Sequence, residues 1–151
     1  MHLLVRDVAA GDFAAWKPLW DGYNAFYGRS GPTALPGEIT ATTWSRFLDP
    51  HEPMHALLAE RSGRLLGIAH YIFHRSTIHV RPTCYLQDLF TSADARGQRV
   101  GRTLIETVYA RAAQAGSARV YWLTHESNAN AMHLYDRIAE KSGFLVYRQS
   151  L

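Results

Sequence analysis

Tyr85-Leu86-Gln87-Asp88-Leu89-Phe90-Thr91, followed by Ala95-Arg96-Gly97-Gln98-Arg99-Val100-Gly101-Arg102-Thr103-Leu104-Ile105-Glu106, is the stretch on which the reading of this chain turns. The first seven residues are a short apolar run of strand character. In the second segment Val100, Leu104, Val108 and Ala112 recur every four residues, the spacing of one helix face. A strand, a small-residue turn and a helix N-terminus therefore follow one another. The first amides of a helix have no carbonyl partner within it, and the helix dipole places partial positive charge at the same end. Such a turn suits phosphate, and Arg96, Arg99 and Arg102 add guanidinium forks that match phosphate oxygens. The Gly-Lys-Ser/Thr ending of a nucleoside-triphosphate loop and the Gly-x-Gly-x-x-Gly spacing of a dinucleotide turn are both missing.

A second constellation lies downstream. Val120-Tyr121-Trp122-Leu123-Thr124 reads as a strand rich in β-formers, and Ser127-Asn128 supplies capping residues. Asn128-Ala129-Asn130-Ala131-Met132-His133-Leu134-Tyr135 continues as a helix, and Ser142-Gly143-Phe144 opens a closing strand, Phe144–Gln149. Together the two constellations resemble the GNAT superfamily of N-acetyltransferases. Its acyl-coenzyme A turn reads Gln/Arg-x-x-Gly-x-Gly/Ala, here Arg96-Gly97-Gln98-Arg99-Val100-Gly101, with Arg99 where the family has its first glycine. Arginine fits there if its φ is helical. Asn128, Ala131, Leu134 and Tyr135 match Asn-x-x-Ala-x-x-Leu-Tyr position for position. The longer spacing to Gly143 predicts an extra helical turn or a bulge. The stretch Tyr121–Asn128 looks most like the branch of the yeast histone and polyamine acetyltransferase and its bacterial relatives.

The remaining elements fit that order. Leu3 to Arg6 is strand-like, and Phe13, Trp16, Trp20, Tyr23 and Tyr27 mark an aromatic-faced helix. Gly28 to Gly37 is a loop, and Ile39 to Leu48 a second helix. His55–Glu60 and Arg64–His74 form two strands joined by Arg61-Ser62-Gly63. Composition alone gives α/β or α+β. The resemblance sharpens this to a central mixed, mostly antiparallel sheet of six or seven strands, about four flanking helices and a splayed central strand pair.

The bounds are those of an ordinary globular chain. Its 151 residues make one domain, 47% hydrophobic and 19% charged. Sixteen basic against 13 acidic residues, dispersed, leave no nucleic-acid footprint. One cysteine, Cys84, allows neither an internal disulfide nor a cysteine metal cluster. No apolar run reaches membrane-spanning length, and Met1-His2-Leu3 begins with strand-like sequence rather than a signal peptide, so a cytoplasmic protein is expected.

The resemblance implies acetyl-CoA as cosubstrate, without a metal, and acetyl transfer to a primary amine of a small molecule: a polyamine, an amino acid or an amine-bearing toxin. It places the cofactor against Leu89, Phe90 and Thr91, against Arg96, Gly97, Gln98, Arg99, Val100, Gly101, Arg102 and Thr103, and against Asn128 and Tyr135. Backbone N–H groups at Leu89–Thr91 are candidate oxyanion donors. Tyr135 is the candidate general acid, because a phenol of ordinary pKa about 10 holds a proton for a departing thiolate. It also sits on an apolar helical face with Ala131, Leu134 and Ile138, where tyrosines ordinarily serve the core. Asn128 could touch the cofactor, cap the helix, or both. Asp88 and Glu126 are alternative general bases; Gln87-Asp88 stands where polyamine-acetylating relatives carry Glu-Asp. Without a functional role, Asp88 would pair with an arginine.

Trp20, Tyr23, Phe26, Tyr27 and the 28–37 loop are the candidate acceptor wall, with Trp20, Tyr23, Tyr27 and Glu126 singled out for contact. Aromatic faces hold ammonium groups by cation–π attraction, and Asp21 or Glu38 could add charge. Cys84 lacks a local base, which favours direct transfer over an acetyl-cysteine intermediate. His70, His74 and His79 lack the carboxylate or thiol partners of a metal set. Protein or peptide acetylation and a non-catalytic coenzyme A-binding module stand as alternatives, and a homodimer through Phe144–Gln149 is compatible with each.

Overall fold

A computed structural model describes residues 2–151; Met1, which opens the expected leaderless start, lies outside the described residues. The elements in chain order are β1 (Leu4–Asp7), α1 (Phe13–Phe26), α2 (Gly37–Leu48), β2 (Met54–Arg61), β3 (Arg64–His74), β4 (Thr83–Thr91), α3 (Val100–Gln114), β5 (Val120–Tyr121) and α4 (Ala129–Ile138). The strands lie side by side as β1-β2-β3-β4-β5, antiparallel except for the parallel β4–β5 pair. This is the GNAT fold, with a five-stranded rather than a six- or seven-stranded sheet among the described residues.

Two apolar clusters occupy the two faces. One joins Leu57, Ala69, Tyr71, Cys84 and Leu86 of the sheet to Val100, Leu104, Ile105, Val108 and Ala112 of α3. The other joins Leu58 and Ile68 to Trp16, Leu19 and Trp20 of α1 and Trp44 of α2. The stripes that predict α1 and α3 are thus largely the stripes they bury. Gly67 of β3 sets how closely α3 approaches: a methyl group there would come within 2.7 Å of Val100 Cγ1 and 3.0 Å of the Phe90 carbonyl oxygen.

β4 carries the irregularity that matters. His70 pairs with Asp88 but Tyr71 pairs with Leu86, so Gln87 is an extra residue, a β-bulge. Before it, Cys84 and Leu86 face α3; after it, Phe90 packs on the α1 side. On the other edge β4 pairs with β5 only at Cys84↔Val120 and Tyr85↔Tyr121. Beyond Tyr85 the two strands part, which is the expected splay.

Three expectations need correction. The strand anticipated over Val120–Thr124 keeps ladder pairing for two residues only, because β4 leaves its side. α4 has no extra turn: Ala139 is extended, and the residues up to Gly143 take up the additional spacing. No strand forms at Phe144–Gln149; Phe144 and Tyr147 are 88% and 93% exposed, and among the described residues no strand pairs with this segment.

Candidate active site

The turn expected to hold acyl-CoA is assembled by the end of β4 and the start of α3. Gly97 and Arg99 both take positive φ, 77° and 65°. Arg99 is thus left-handed, so the condition of a helical φ is not met, and it adopts the conformation glycine adopts without strain. The amides of Arg96 through Arg102 make no hydrogen bond among the described residues. Thr103 N–H and its hydroxyl both donate to the Arg99 carbonyl, closing the first turn. No side chain caps α3. A run of free amides at the positive end of a fifteen-residue helix, flanked by arginines, fits a pyrophosphate. The space at Gly101 agrees, since an added methyl group would meet only Thr91 Oγ1 at 3.7 Å.

The strand end supplies the second part. Ser92 N–H donates to Leu66 in β3. Alternation along an antiparallel strand then turns the amides of Leu89 and Thr91 to the opposite edge, which β5 has left unpaired. These are the amides available to a developing oxyanion.

Next to the splay lies a cavity of about 730 Å³. Its walls come from α1 (Trp20, Tyr23), β4 (Tyr85 to Leu89), the segment after β5 (Trp122 to His125) and Tyr135 of α4. It therefore brings Asp88, Tyr135, Tyr23 and Tyr27 together. Tyr135 packs on the α3-side cluster and edge-on against Trp122 at 5.3 Å, yet borders the cavity where β4 and β5 part. Burial pushes its phenol up to about 12, so it keeps its proton throughout the neutral range.

Asp88 is 8% exposed and is paired with His70, not with an arginine: Oδ2 lies 2.9 Å from His70 Nδ1. Its charge is felt by the facing phenols. Burial first, and Asp88 second, raise Tyr23, Tyr27 and Tyr85 above the ordinary phenol value.

The other expected contacts divide. Trp20 is buried, with its indole N–H donated to Thr40, so it backs the wall rather than offering a polar handle. Tyr23 and Tyr27 face the cavity. Glu126 is exposed and does not line it, because the turn before α4 carries it outward. Asn128 makes no side-chain cap; its amide donates at 3.4 Å to Thr124 Oγ1. Cys84 is enclosed in the α3-side core and its thiol is pushed up to about 12 by burial, which leaves it inert. Among the described residues no group of three or more His, Cys, Asp or Glu could hold a metal.

Two contributors carry no signal in the sequence. Arg29 lies over the rings of Tyr23 and Tyr27 at 5.8 and 5.7 Å and lines the cavity, with Nε donating to Asn24. Arg148, on the extended tail, reaches the same cavity. Neither belongs to a motif, and only the folded chain places them there.

The chain belongs to the GNAT family of acetyltransferases, whose family model matches residues 16–139. It is an acyltransferase of the N-acetyltransferase kind, in a family that uses acetyl-CoA. It is 36% identical over 151 residues to a D-amino-acid N-acetyltransferase of Saccharomyces cerevisiae, HPA3, covering 99% of this chain and 91% of that protein. It is 29% identical over 145 residues to the uncharacterized N-acetyltransferase YhfO of Bacillus subtilis, covering 95% and 94%. Among solved structures, AAC(6')-Iy in complex with the bisubstrate analogue CoA-S-monomethyl-acetylneamine superposes with a TM-score of 0.81 at 15% identity, covering 100% of this chain and 99% of that one, a likeness of fold.

Proposed function

We propose that this protein binds acetyl-CoA at the Arg96–Thr103 turn and transfers the acetyl group directly to the primary amine of a small molecule, a free amino acid before a polyamine. The observation that carries the proposal is the shared cavity: a carboxylate, Asp88, and a protonated phenol, Tyr135, border one space beside unpaired strand amides. The yeast relative's name, a D-amino-acid N-acetyltransferase, supports the amino-acid reading. The cavity's charges support it too. Asp88 suits an ammonium, while Arg29 and Arg148 suit a carboxylate and repel the second ammonium of a polyamine.

Acetyl-CoA supplies the activated acetyl group; the residues supply the rest. Asp88 accepts the proton that frees the amine lone pair, directly or through water. Leu89 or Thr91 N–H takes charge developing on the carbonyl oxygen. Tyr135 gives its proton to the departing thiolate sulfur and is restored by the second proton the nitrogen sheds as the amide forms, while the proton taken by Asp88 passes to water.

The test is thiol release from acetyl-CoA across D- and L-amino acids, polyamines, aminoglycosides and lysine peptides. Amino-acid-dependent release that falls in Arg29→Ala through a raised acceptor KM supports the proposal. Release with lysine peptides alone would replace it with protein acetylation, and coenzyme A binding without release would replace it with a regulatory module. The proposal includes a homodimer in which Phe144–Gln149 pairs with a second copy, supported by the exposure of Phe144, Leu145, Val146 and Tyr147. Light scattering that gives a monomer mass at micromolar concentration would remove that part.

A further inference from the structure

The one buried histidine of the α1 face has both ring nitrogens committed. His70 is 2% exposed, and Trp20 and Phe47 stand at 5.5 and 4.6 Å, ring centre to ring centre. Its Nε2 lies 3.0 Å from Trp16 Nε1, and its Nδ1 lies 2.9 Å from Asp88 Oδ2. An indole nitrogen can only donate, so Nε2 must present a lone pair. The single ring proton then sits on Nδ1 and is donated to Asp88. A doubly protonated ring would set one N–H against another at Trp16. Fixing the tautomer through one nitrogen thus fixes what the other offers.

We infer that Trp16 and His70 form a buried hydrogen-bond chain that holds Asp88 in position to take the acceptor's proton, making His70 a positioning residue. The inference rests on the proposed role of Asp88 as base. His70 is not itself a base, because neither nitrogen has a free lone pair and the ring is enclosed. Its donor occupies Oδ2 and leaves Oδ1 to the cavity that Asp88 borders. The groups facing Asp88 there are Tyr23 from α1, Tyr27 just after it and Tyr85 from β4, with Arg29 beyond them; the buried hydrogen bond that fixes Oδ2 is the one from His70. The register places the pair: His70 and Asp88 are direct cross-strand partners at the bulge.

The test joins kinetics to spectroscopy. His70→Leu is expected to lower kcat/KM for the acceptor about 100-fold, the order of a misplaced reactive group, with KM for acetyl-CoA unchanged. His70→Asn keeps a donor in the place of Nδ1 and is expected to recover most of that loss. In an Asp88→Asn background, His70→Leu is expected to cost little more, because a residue acting through Asp88 has nothing left to act on. Full multiplication of the two losses would overturn the inference and indicate a structural role. If Asp88→Asn alone leaves turnover intact, the base assignment fails instead, a distinguishable result. Imidazole ¹⁵N spectra of the wild-type protein at neutral pH read the tautomer without activity or substitution. A proton on Nδ1 alone is expected, and a proton on Nε2 would overturn the chain. Should His70→Leu not fold, Trp16→Phe keeps an aromatic ring, removes the donor, and is expected to lower kcat and to let the Nε2 proton appear.

Discussion

In the proposed mechanism Asp88 and Tyr135 act at different moments on different atoms, so they can be separated experimentally. Asp88→Asn keeps shape but cannot take a proton, and it should lower kcat/KM for the acceptor about 10²- to 10⁴-fold, the usual range for a positioned acid or base, with coenzyme A affinity unchanged by calorimetry. Tyr135→Phe removes the proton donated to sulfur; kcat should fall while acetyl-CoA binding stays nearly constant. A large loss of cofactor affinity in that variant would move Tyr135 from chemistry to binding. Arg99 makes the opposite case, a residue whose backbone is strained for its site. Its φ of 65° costs a side-chain-bearing residue roughly 1–2 kcal/mol that glycine does not incur. Arg99→Gly should therefore raise Tm by a few degrees, about 2–4 °C per kcal/mol at this chain length. If Tm falls, the Arg99 side chain makes a contribution larger than its backbone strain. The arginine itself is plain in the sequence, whereas its left-handed φ is a property of the turn and no residue pattern reports it.

Elements were legible to the degree that their periodicity is local. α1 and α3 announce themselves by apolar residues three and four apart, and each buries most of that face. The β2–β3 hairpin is visible in Arg61-Ser62-Gly63, where Ser62 and Gly63 take positive φ. The splay could be anticipated only through family resemblance, since a shortened β5 looks like any strand until its neighbour departs. The Gln87 bulge left no mark in the sequence at all: it exists in the pairing of residues 15 or more positions apart. His70 was invisible as a partner of Asp88 for the same reason. The contact between β3 and α3 yields a prediction of its own. Gly67→Ala places a methyl group 2.7 Å from Val100 Cγ1, so α3 must shift or the strand must bend. Overpacking of this kind typically costs about 1–3 kcal/mol. Because Val100 belongs to the proposed cofactor turn, acetyl-CoA affinity should drop with stability, measured by calorimetry beside thermal melts. Unchanged affinity in a destabilised variant would show that the turn does not depend on the packing beneath it.

Across the whole molecule, buried ionisable groups set an alkaline limit. Burial pushes the Tyr71 and Tyr135 phenols up from 10.0 to about 12, and the Cys84 thiol up from 9.0 to about 12. The unfolded chain therefore loses these protons first. Stability is complete below about pH 9 and falls as pH rises from there through 12. Denaturant titrations at pH 8, 10 and 11 should show a falling midpoint, and a midpoint flat to pH 11 would mean that these groups reach solvent. The two faces of the sheet also divide the labour of the site. The face under α3 bears the turn that fits pyrophosphate, and the face under α1 bears much of the wall of the proposed acceptor cavity. A regular β4 would keep Asp88 in step with Leu86, on the donor's side of the sheet. One supernumerary residue changes that phase, so a strand that borders the donor presents its carboxylate to the acceptor. Were Gln87 to take an ordinary place in the ladder instead, every proposed catalytic side chain would remain in the sequence while the Asp88 carboxylate turned to the wrong side, and the two substrates would meet without a base between them.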